Sequence, residues 1–440
     1  MTQSENAAPV HQASTDGATH ALPRQSALRT AMAGLIGNVL EWFDFAVYGY
    51  FAGDIGKQFF PQSDHVAQQL LAFAVFGLGF LARPVGAIVL GMVGDRIGRR
   101  ALLTLSIALM GGATLLLGLL PTYAQIGVAA PLLLVTMRLI QGFSLGGEFT
   151  GSMVYTTEKA SPLMRGIISS STAAGTTLGF ILGSSSAWLV NSAMSVNEVS
   201  TWGWRIPFVG SILFCVGGYL LRRGITETEE GLKAATLRPP LIPSLISDWL
   251  PIIQTFGIVG MTNAAYYLTF TYAVERRKSL LGEGGETFLL VNTISLFVVL
   301  FAKPLGGWLS DLVGRRRLML ILTLATMSCI YFALGWMLYG SPPLFAFGQM
   351  LLAVPIGMAL GLQGAMVVEI FPLKTRVTSM SFAYSITLAL AGGLAPFMST
   401  WLIERLGQPL WPAYYIMLYG AIGLAIMLPM QETNQRSLDV

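Results

Sequence analysis

The chain has 440 residues, of which 54% are hydrophobic and only 11% charged, and its mean hydropathy is +0.64. That composition leaves too little polar surface to cover a soluble globule of this size and points to an all-α membrane protein. The net charge of +4 gives no reason to expect nucleic acid, because the basic residues sit in short clusters between apolar segments, the pattern of a topology signal.

Residues 1–28 are rich in Ala, Ser, Thr, Gln and Pro without an apolar period and read as a disordered cytoplasmic tail. No cleavable signal is visible, since the first apolar run starts near Ala31 and is too long for one. Twelve spans follow, each near the ~20 residues that cross ~30 Å of hydrocarbon. Their centres lie near Tyr48, Gly79, Met110, Phe143, Leu178, Phe214, Gly260, Phe297, Met327, Leu360, Leu388 and Leu418. The first six form an N-terminal half, 29–223, and the last six a C-terminal half, 248–430. A cytoplasmic linker, 224–247, joins them, and a short cytoplasmic tail, 431–440, closes the chain. With the N-terminus inside, 17 of the 26 Lys and Arg fall on the cytoplasmic side and 6 on the outer side. That bias predicts a multi-pass protein of the plasma (inner) membrane with both termini cytoplasmic. The run Glu275-Arg276-Arg277-Lys278 is an exception on the outer side. Cys215 and Cys329 lie inside apolar runs and read as small buried hydrophobes, with no disulfide framework or thiolate metal site.

Two motifs recur. Gly91-Met92-Val93-Gly94-Asp95-Arg96-Ile97-Gly98-Arg99-Arg100 returns as Gly307-Trp308-Leu309-Ser310-Asp311-Leu312-Val313-Gly314-Arg315-Arg316, an offset of 216 residues. Glu158, Pro162 and Arg165 after the fourth span match Glu369, Pro372 and Arg376 after the tenth, and the two Glu, like the two Arg, are 211 residues apart. Such repeats predict two pseudo-symmetric six-helix halves packed about an axis along the membrane normal.

The first of these motifs, between the second and third spans, resembles the signature of the major facilitator superfamily. Further stretches are similar to its metabolite:proton symporter family. They are Gly37-Asn38-Val39-Leu40-Glu41-Trp42-Phe43-Asp44-Phe45, Phe80-Leu81-Ala82-Arg83-Pro84-Val85-Gly86, Arg138 with Gln141-Gly142-Phe143-Ser144-Leu145-Gly146-Gly147-Glu148, and Trp202-Gly203-Trp204-Arg205-Ile206-Pro207-Phe208. The resemblance implies the major facilitator fold and import of a small organic solute with protons; proline/betaine, citrate, α-ketoglutarate and shikimate transporters are members. Thr262-Asn263-Ala264-Ala265-Tyr266-Tyr267, Pro412-Ala413-Tyr414-Tyr415 and the ending Glu432 to Leu438 look like the proline/betaine branch, which favours an osmolyte of that type over a di- or tricarboxylate. Lys303 departs from that branch, whose members usually carry an uncharged residue there.

Ionisable groups within spans cost a few kcal/mol each on insertion scales, so those present are functional candidates. Asn38, Glu41, Asp44 or Phe45, and Tyr48 recur at helical spacing on one face of the first span, which should line a central cavity. His11, His20 and His65 lie in the tail and the first outer loop, so proton coupling falls to the carboxylates Glu41, Asp44 and Glu148. The alternative for Glu148 is an ion pair with Arg138. Arg83 is the strongest candidate for gripping a substrate carboxylate, because a guanidinium does so bidentately, and Lys303 holds the corresponding place in the second half. The alternative is that these cations pair with Asp44 or Glu41. Asn263, Tyr266, Tyr267, Gln363 and Tyr384 could line the second-half cavity as an aromatic box for a quaternary ammonium, or serve as packing and interface anchors.

The duplicated motifs read as an inner gate built from Gly91, Asp95, Arg96, Gly98, Arg99, Arg100, Arg138, Glu158 and Arg165, with Gly307, Asp311, Gly314, Arg315, Arg316, Glu369 and Arg376 in the second copy. Asp95 can cap and pair at a helix end while the Arg pair holds its loop in the cytoplasm. No nucleophile-base pair, phosphate loop or metal-ligand set is visible, so an enzyme or a channel is the weaker reading. The expected partners are a small organic solute and the lipid bilayer, with no nucleic acid, no obligate protein partner and no cofactor beyond the coupling proton.

Overall fold

The computed structural model describes residues 38–223, 241–281, 284–434, 436 and 438, except 98 and 147; the side chains at 91, 94–101, 103, 148, 221–223 and 241 lie outside the description. The tail at 1–28 and most of the linker therefore fall beyond it, while the linker's last residues form a short helix, Leu241–Ser247.

Twelve helical segments follow in order among the described residues, and each contains one of the centres expected from hydropathy. They are α1 (38–59), α2 (His65–Leu90), α3 (Arg99–Leu119), α4 (Ala129–Lys159), α5 (Arg165–Ala193) and α6 (Val196–Gly203 with Arg205–Leu220, bent by 45°). The second half repeats the set as α7 (249–281), α8 (Glu286–Val313), α9 (Arg315–Tyr339), α10 (Pro342–Ile370), α11 (Arg376–Leu406) and α12 (Trp411–Met427). Seven of them are single helices long and apolar enough to cross a membrane, and the bent α6 makes eight. The rest fall short for local reasons: α1 carries Glu41 and Asp44, α7 ends in the charged run Glu275 to Lys278, and the apolar parts of α3 and α12 are short.

The halves are built alike. In the first, α2 and α4 touch backbone to backbone, because a Cβ on Gly142 would run into the Gly79 carbonyl and one on Gly86 into the Phe143 carbonyl. In the second, α8 and α10 do the same: a Cβ on Gly306 would meet the Met358 carbonyl, and one on Gly361 the carbonyl of Lys303. Glycine is required at these places by proximity, as in tightly packed membrane helices. Gly179 and Gly183 let α5 ride against α1 in the same way. Between the halves, α5 packs along α8, and α2 along α11. Two π-helical turns, Leu268–Tyr272 in α7 and Leu388–Gly393 in α11, interrupt the helices just beyond Tyr267 and Tyr384. Cys215 and Cys329 are free and only partly buried, and Cys215 packs against Gly111 of α3.

Candidate functional site

The intramembrane charges come first, since burying one without a partner is costly. Asp44 is fully buried and its carboxylate takes the Arg138 guanidinium at 2.7 Å and the Gln141 amide at 2.8 Å. Gln141 also receives a bond from Arg138 at 2.9 Å and donates to the Thr114 hydroxyl at 2.9 Å, which closes the network. The Arg138 guanidinium lies 4.1 Å from the Tyr48 ring centre and 4.8 Å from that of Phe45, a cation–π stack that dehydrates it further. Arg138 therefore belongs to a closed network in the middle of the first half, away from the gating motifs with which the sequence grouped it. Its acid is Asp44; the Glu148 side chain lies outside the described residues.

Arg83 forms a buried ion pair with Glu41, and its guanidinium sits over Trp42, Phe80 and Phe45 at 5.2 to 5.5 Å. Here Arg83 adopts the alternative that the sequence held open, a pair with an acid of α1, and it is not among the residues lining the cavity. Asn38 and Tyr48 are also engaged elsewhere: Asn38 donates to the Thr172 carbonyl at 3.0 Å and accepts from the Trp42 indole at 3.0 Å, and Tyr48 donates to the Ala72 carbonyl at 3.2 Å. Neither reaches the cavity; Asn38 acts on it through Trp42.

The cavity lies between the halves. Of the sequence candidates it brings together Lys303, Asn263, Tyr266, Tyr267, Gln363 and Tyr384. The first half adds Trp42, Phe149, Ala173, Thr176 and Phe180, and Leu360 completes the lining. Aromatic rings from five helices interlock around it: Phe180 meets Tyr266 at 5.0 Å and Trp42 at 6.0 Å, and Phe149 meets Tyr384 at 5.4 Å. Sequence reasoning missed the first-half members because single Phe and Thr residues in apolar helices carry no distinguishing pattern; Trp42, beside Glu41, was the one visible hint.

Lys303 differs from the two arginines. It is 1% exposed, and its ammonium donates to the Ala173 carbonyl at 2.6 Å and the Thr176 hydroxyl at 2.7 Å. No carboxylate among the described residues lies within ion-pair distance. Around it, the buried hydroxyls of Tyr266 and Tyr267 and the Gln363 amide oxygen have no hydrogen-bond partner among the described residues. Buried polar groups are normally paired, so the cavity offers a polar ligand one cation, two free hydroxyls and one acceptor oxygen.

Both ends of the cavity are tied across the halves. At one end the Asp311 carboxylate accepts the Gly166 and Ile167 amides at 2.9 and 3.0 Å. These are first-turn amides of α5, which lack helical partners and sit at the positive end of the helix dipole. Gly307 and Gly166 meet there backbone to backbone. Arg315 bonds Asp311 at 2.7 Å and Glu369 at 3.3 Å, and Glu158 pairs with Arg376 at 2.7 Å. The final segment joins in. Glu432 accepts the Arg315 and Arg316 amides at 2.7 and 3.2 Å, the Thr433 hydroxyl donates to Glu369 at 2.8 Å, and Arg165 donates to the Arg436 carbonyl at 2.6 Å. Arg316 reaches back to the Met427 carbonyl at 3.0 Å. Gly314, at φ 108°, makes the turn between α8 and α9 that a side chain would strain. The first-copy residues Gly91, Asp95, Arg96, Gly98, Arg99 and Arg100 lie outside the described side chains.

At the other end the exceptional basic run finds its explanation. Lys278 donates to Asp54 at 2.9 Å, to Glu275 at 3.2 Å and to the Tyr50 carbonyl at 2.6 Å, while the Gly53 amide donates to Glu275 at 3.0 Å. Arg276 reaches Gln69 at 3.1 Å. These cations hold α1 and α2 to α7.

Residues 30–228 match the sugar (and other) transporter family, and residues 281–435 match the major facilitator superfamily. The chain is 33% identical over 425 residues to the proline/betaine transporter of Salmonella typhimurium, covering 93% of this chain and 85% of that one. It is 36% identical over 392 residues to the citrate-proton symporter of Klebsiella pneumoniae, covering 88% of each. The fold matches that of the proton:xylose symporter XylE bound to 6-bromo-6-deoxy-D-glucose, with a TM-score of 0.74 at 17% identity over 94% of this chain and 98% of that one.

Proposed function

The chain belongs to the major facilitator superfamily and, within it, to the metabolite:proton symporters, and on that premise we propose that this multi-pass secondary transporter, which is not an enzyme, imports a small carboxylate-bearing zwitterion of the proline or betaine type together with protons. The observation that carries the reading is Lys303, a buried cation with no acid within ion-pair distance among the described residues, facing a cavity whose other walls are largely aromatic. An ammonium is a point charge suited to one carboxylate. Trp42, Phe180, Tyr266, Tyr267 and Tyr384 offer ring faces to a quaternary or secondary ammonium. With Arg83 and Arg138 both held by acids of the first half, the described residues leave the cavity one unpaired cation, which suits a monocarboxylate better than a tricarboxylate.

Coupling rests on Asp44 and Glu41, with Glu148 as a third candidate. Protonation of either paired acid would free a buried arginine and bias which end of the cavity is tied, so proton and solute would move together by alternating access. The Asp311 end is the cytoplasmic gate and the Lys278 end the outer one, with both termini cytoplasmic in the inner membrane. The protein takes no cofactor other than the proton and works without an obligate protein partner.

A citrate-like substrate is the second reading, favoured by the 36% identity to the citrate-proton symporter. Counterflow in proteoliposomes loaded in turn with betaine, proline, citrate and α-ketoglutarate tests both. Exchange of the zwitterions alone is expected; exchange of citrate alone would establish the second reading, and leakage without uphill exchange would indicate a channel.

A further inference from the structure

Lys303 stands on α8 in the C-terminal half, yet both acceptors of its ammonium, the Ala173 carbonyl and the Thr176 hydroxyl, stand on α5 in the N-terminal half. We infer that Lys303 is a mid-membrane clasp between the halves, and that the substrate carboxylate takes the ammonium away from Ala173 and Thr176, so that binding itself loosens the halves for the transport movement. The inference rests on the proposed role of Lys303 as the carboxylate site.

Three features support it. Ala173 and Thr176 line the same cavity as Lys303, so a bound carboxylate and the two α5 acceptors compete within one space. An ammonium has three donors, two of which are engaged by α5, so a carboxylate that draws the ammonium to itself with more than the one remaining donor does so at the expense of Ala173 or Thr176. Finally, the Lys303 backbone is pressed against Gly361 of α10, which fixes the base of the side chain; the ammonium cannot follow α5 when the halves part. The clasp is also placed differently from the gate ties. Those lie at the two ends of the bundle and involve no cavity residue, whereas this one sits where cargo binds, which gives cargo direct leverage on the α5–α8 seam.

The test uses the full chain in liposomes, with one spin label on α5 and one on α8, and betaine as the probe ligand. Betaine is expected to broaden the α5–α8 distance distribution. Thr176→Val, which removes one acceptor and keeps the shape, should produce part of that broadening without ligand and tighten betaine binding by about tenfold or more, because one hydrogen bond to a charged group no longer competes. Thr176→Ser, which keeps the hydroxyl, should behave as wild type and controls for packing. Lys303→Met should show the broadened distribution without ligand and bind no betaine. Unchanged distributions in Thr176→Val and Lys303→Met would overturn the clasp while leaving the binding role intact. Wild-type betaine affinity in Lys303→Met would remove the binding role, and with it the competition on which the clasp depends.

Discussion

The two halves treat buried positive charge in opposite ways. In the first, Arg83 and Arg138 are each neutralised by an acid from α1, Glu41 and Asp44. In the second, Lys303 occupies the matching place before a Pro-x-Gly and, among the described residues, has as acceptors a carbonyl and a hydroxyl, both borrowed from the other half. Duplication gave the halves the same frame, with glycine seams between α2 and α4 and between α8 and α10, so the difference lies in a few side chains. One half keeps its charges for its own acids; the other holds its charge on neutral acceptors, and that contrast is what the proposed roles of proton and cargo rest on.

The largest effect should come from collapsing that contrast at Lys303. Lys303→Met is expected to lower solute uptake by more than about 100-fold with normal expression, since a carboxylate entering a dry site without a cation bears its full desolvation cost; initial rates in proteoliposomes decide it. Next is the paired half. Asp44→Asn leaves Arg138 buried without a counter-charge and should destabilise the protein by about 3 to 5 kcal/mol, read as a lower melting temperature in detergent. The double variant Asp44→Leu with Arg138→Met should recover most of that stability but accumulate no solute against a gradient. If it accumulates solute normally, the first half's pair is structural only.

A middle-sized effect is expected at the seam beneath the lysine. Gly361→Ala drives a methyl into the Lys303 carbonyl and should cost about 1 to 3 kcal/mol, as overpacking does, with a measurable rise in KM. Arg83→Lys keeps the charge opposite Glu41 and loses part of the stacking on Trp42. Its KM should change little, since Arg83 is not among the cavity-lining residues and the partly lost stack, worth about 0.5 to 2 kcal/mol, bears on stability; a severe rise would return Arg83 to the substrate site. The smallest effect is expected from Glu432→Gln. It weakens bonds to the Arg315 and Arg316 amides by about 0.5 to 1.5 kcal/mol and should shift the resting balance between the two open states in cysteine-accessibility measurements without altering solute affinity.

Much of this was legible in the chain. Hydropathy located each helix, because ~20 apolar residues are a coarse and redundant signal. Asp311 of the second Asp motif and the two Glu-Arg motifs pointed to residues that meet at one end, since charges beside a membrane are few and each needs a partner. Lys303, Asn263, Tyr266, Tyr267, Gln363 and Tyr384 could be named in advance because polar groups in apolar helices stand out. What could not be read was pairing. Whether Arg83 serves Glu41 or a solute depends on the angle between α1 and α2, and that angle is set by glycine contacts with no linear signature. The same holds for Thr176, an ordinary residue until Lys303 reaches it from the opposite half. The cluster of Asp54, Glu275 and Lys278 looked like a topology anomaly for a related reason: Lys278 pairs with an acid of another helix, Asp54 of α1, and no linear signal shows that they meet.

The glycine seam between α8 and α10 has a pharmacological consequence. Because the Lys303 backbone is mounted against Gly361, the cation is carried on a stiff pair of helices, and its distance from the α5 wall is set by the angle between the halves. A rigid molecule with a carboxylate at one end and a bulky cation at the other would hold that angle like a wedge. Inhibition by such a compound should depend on its length in steps rather than on its affinity for either wall alone.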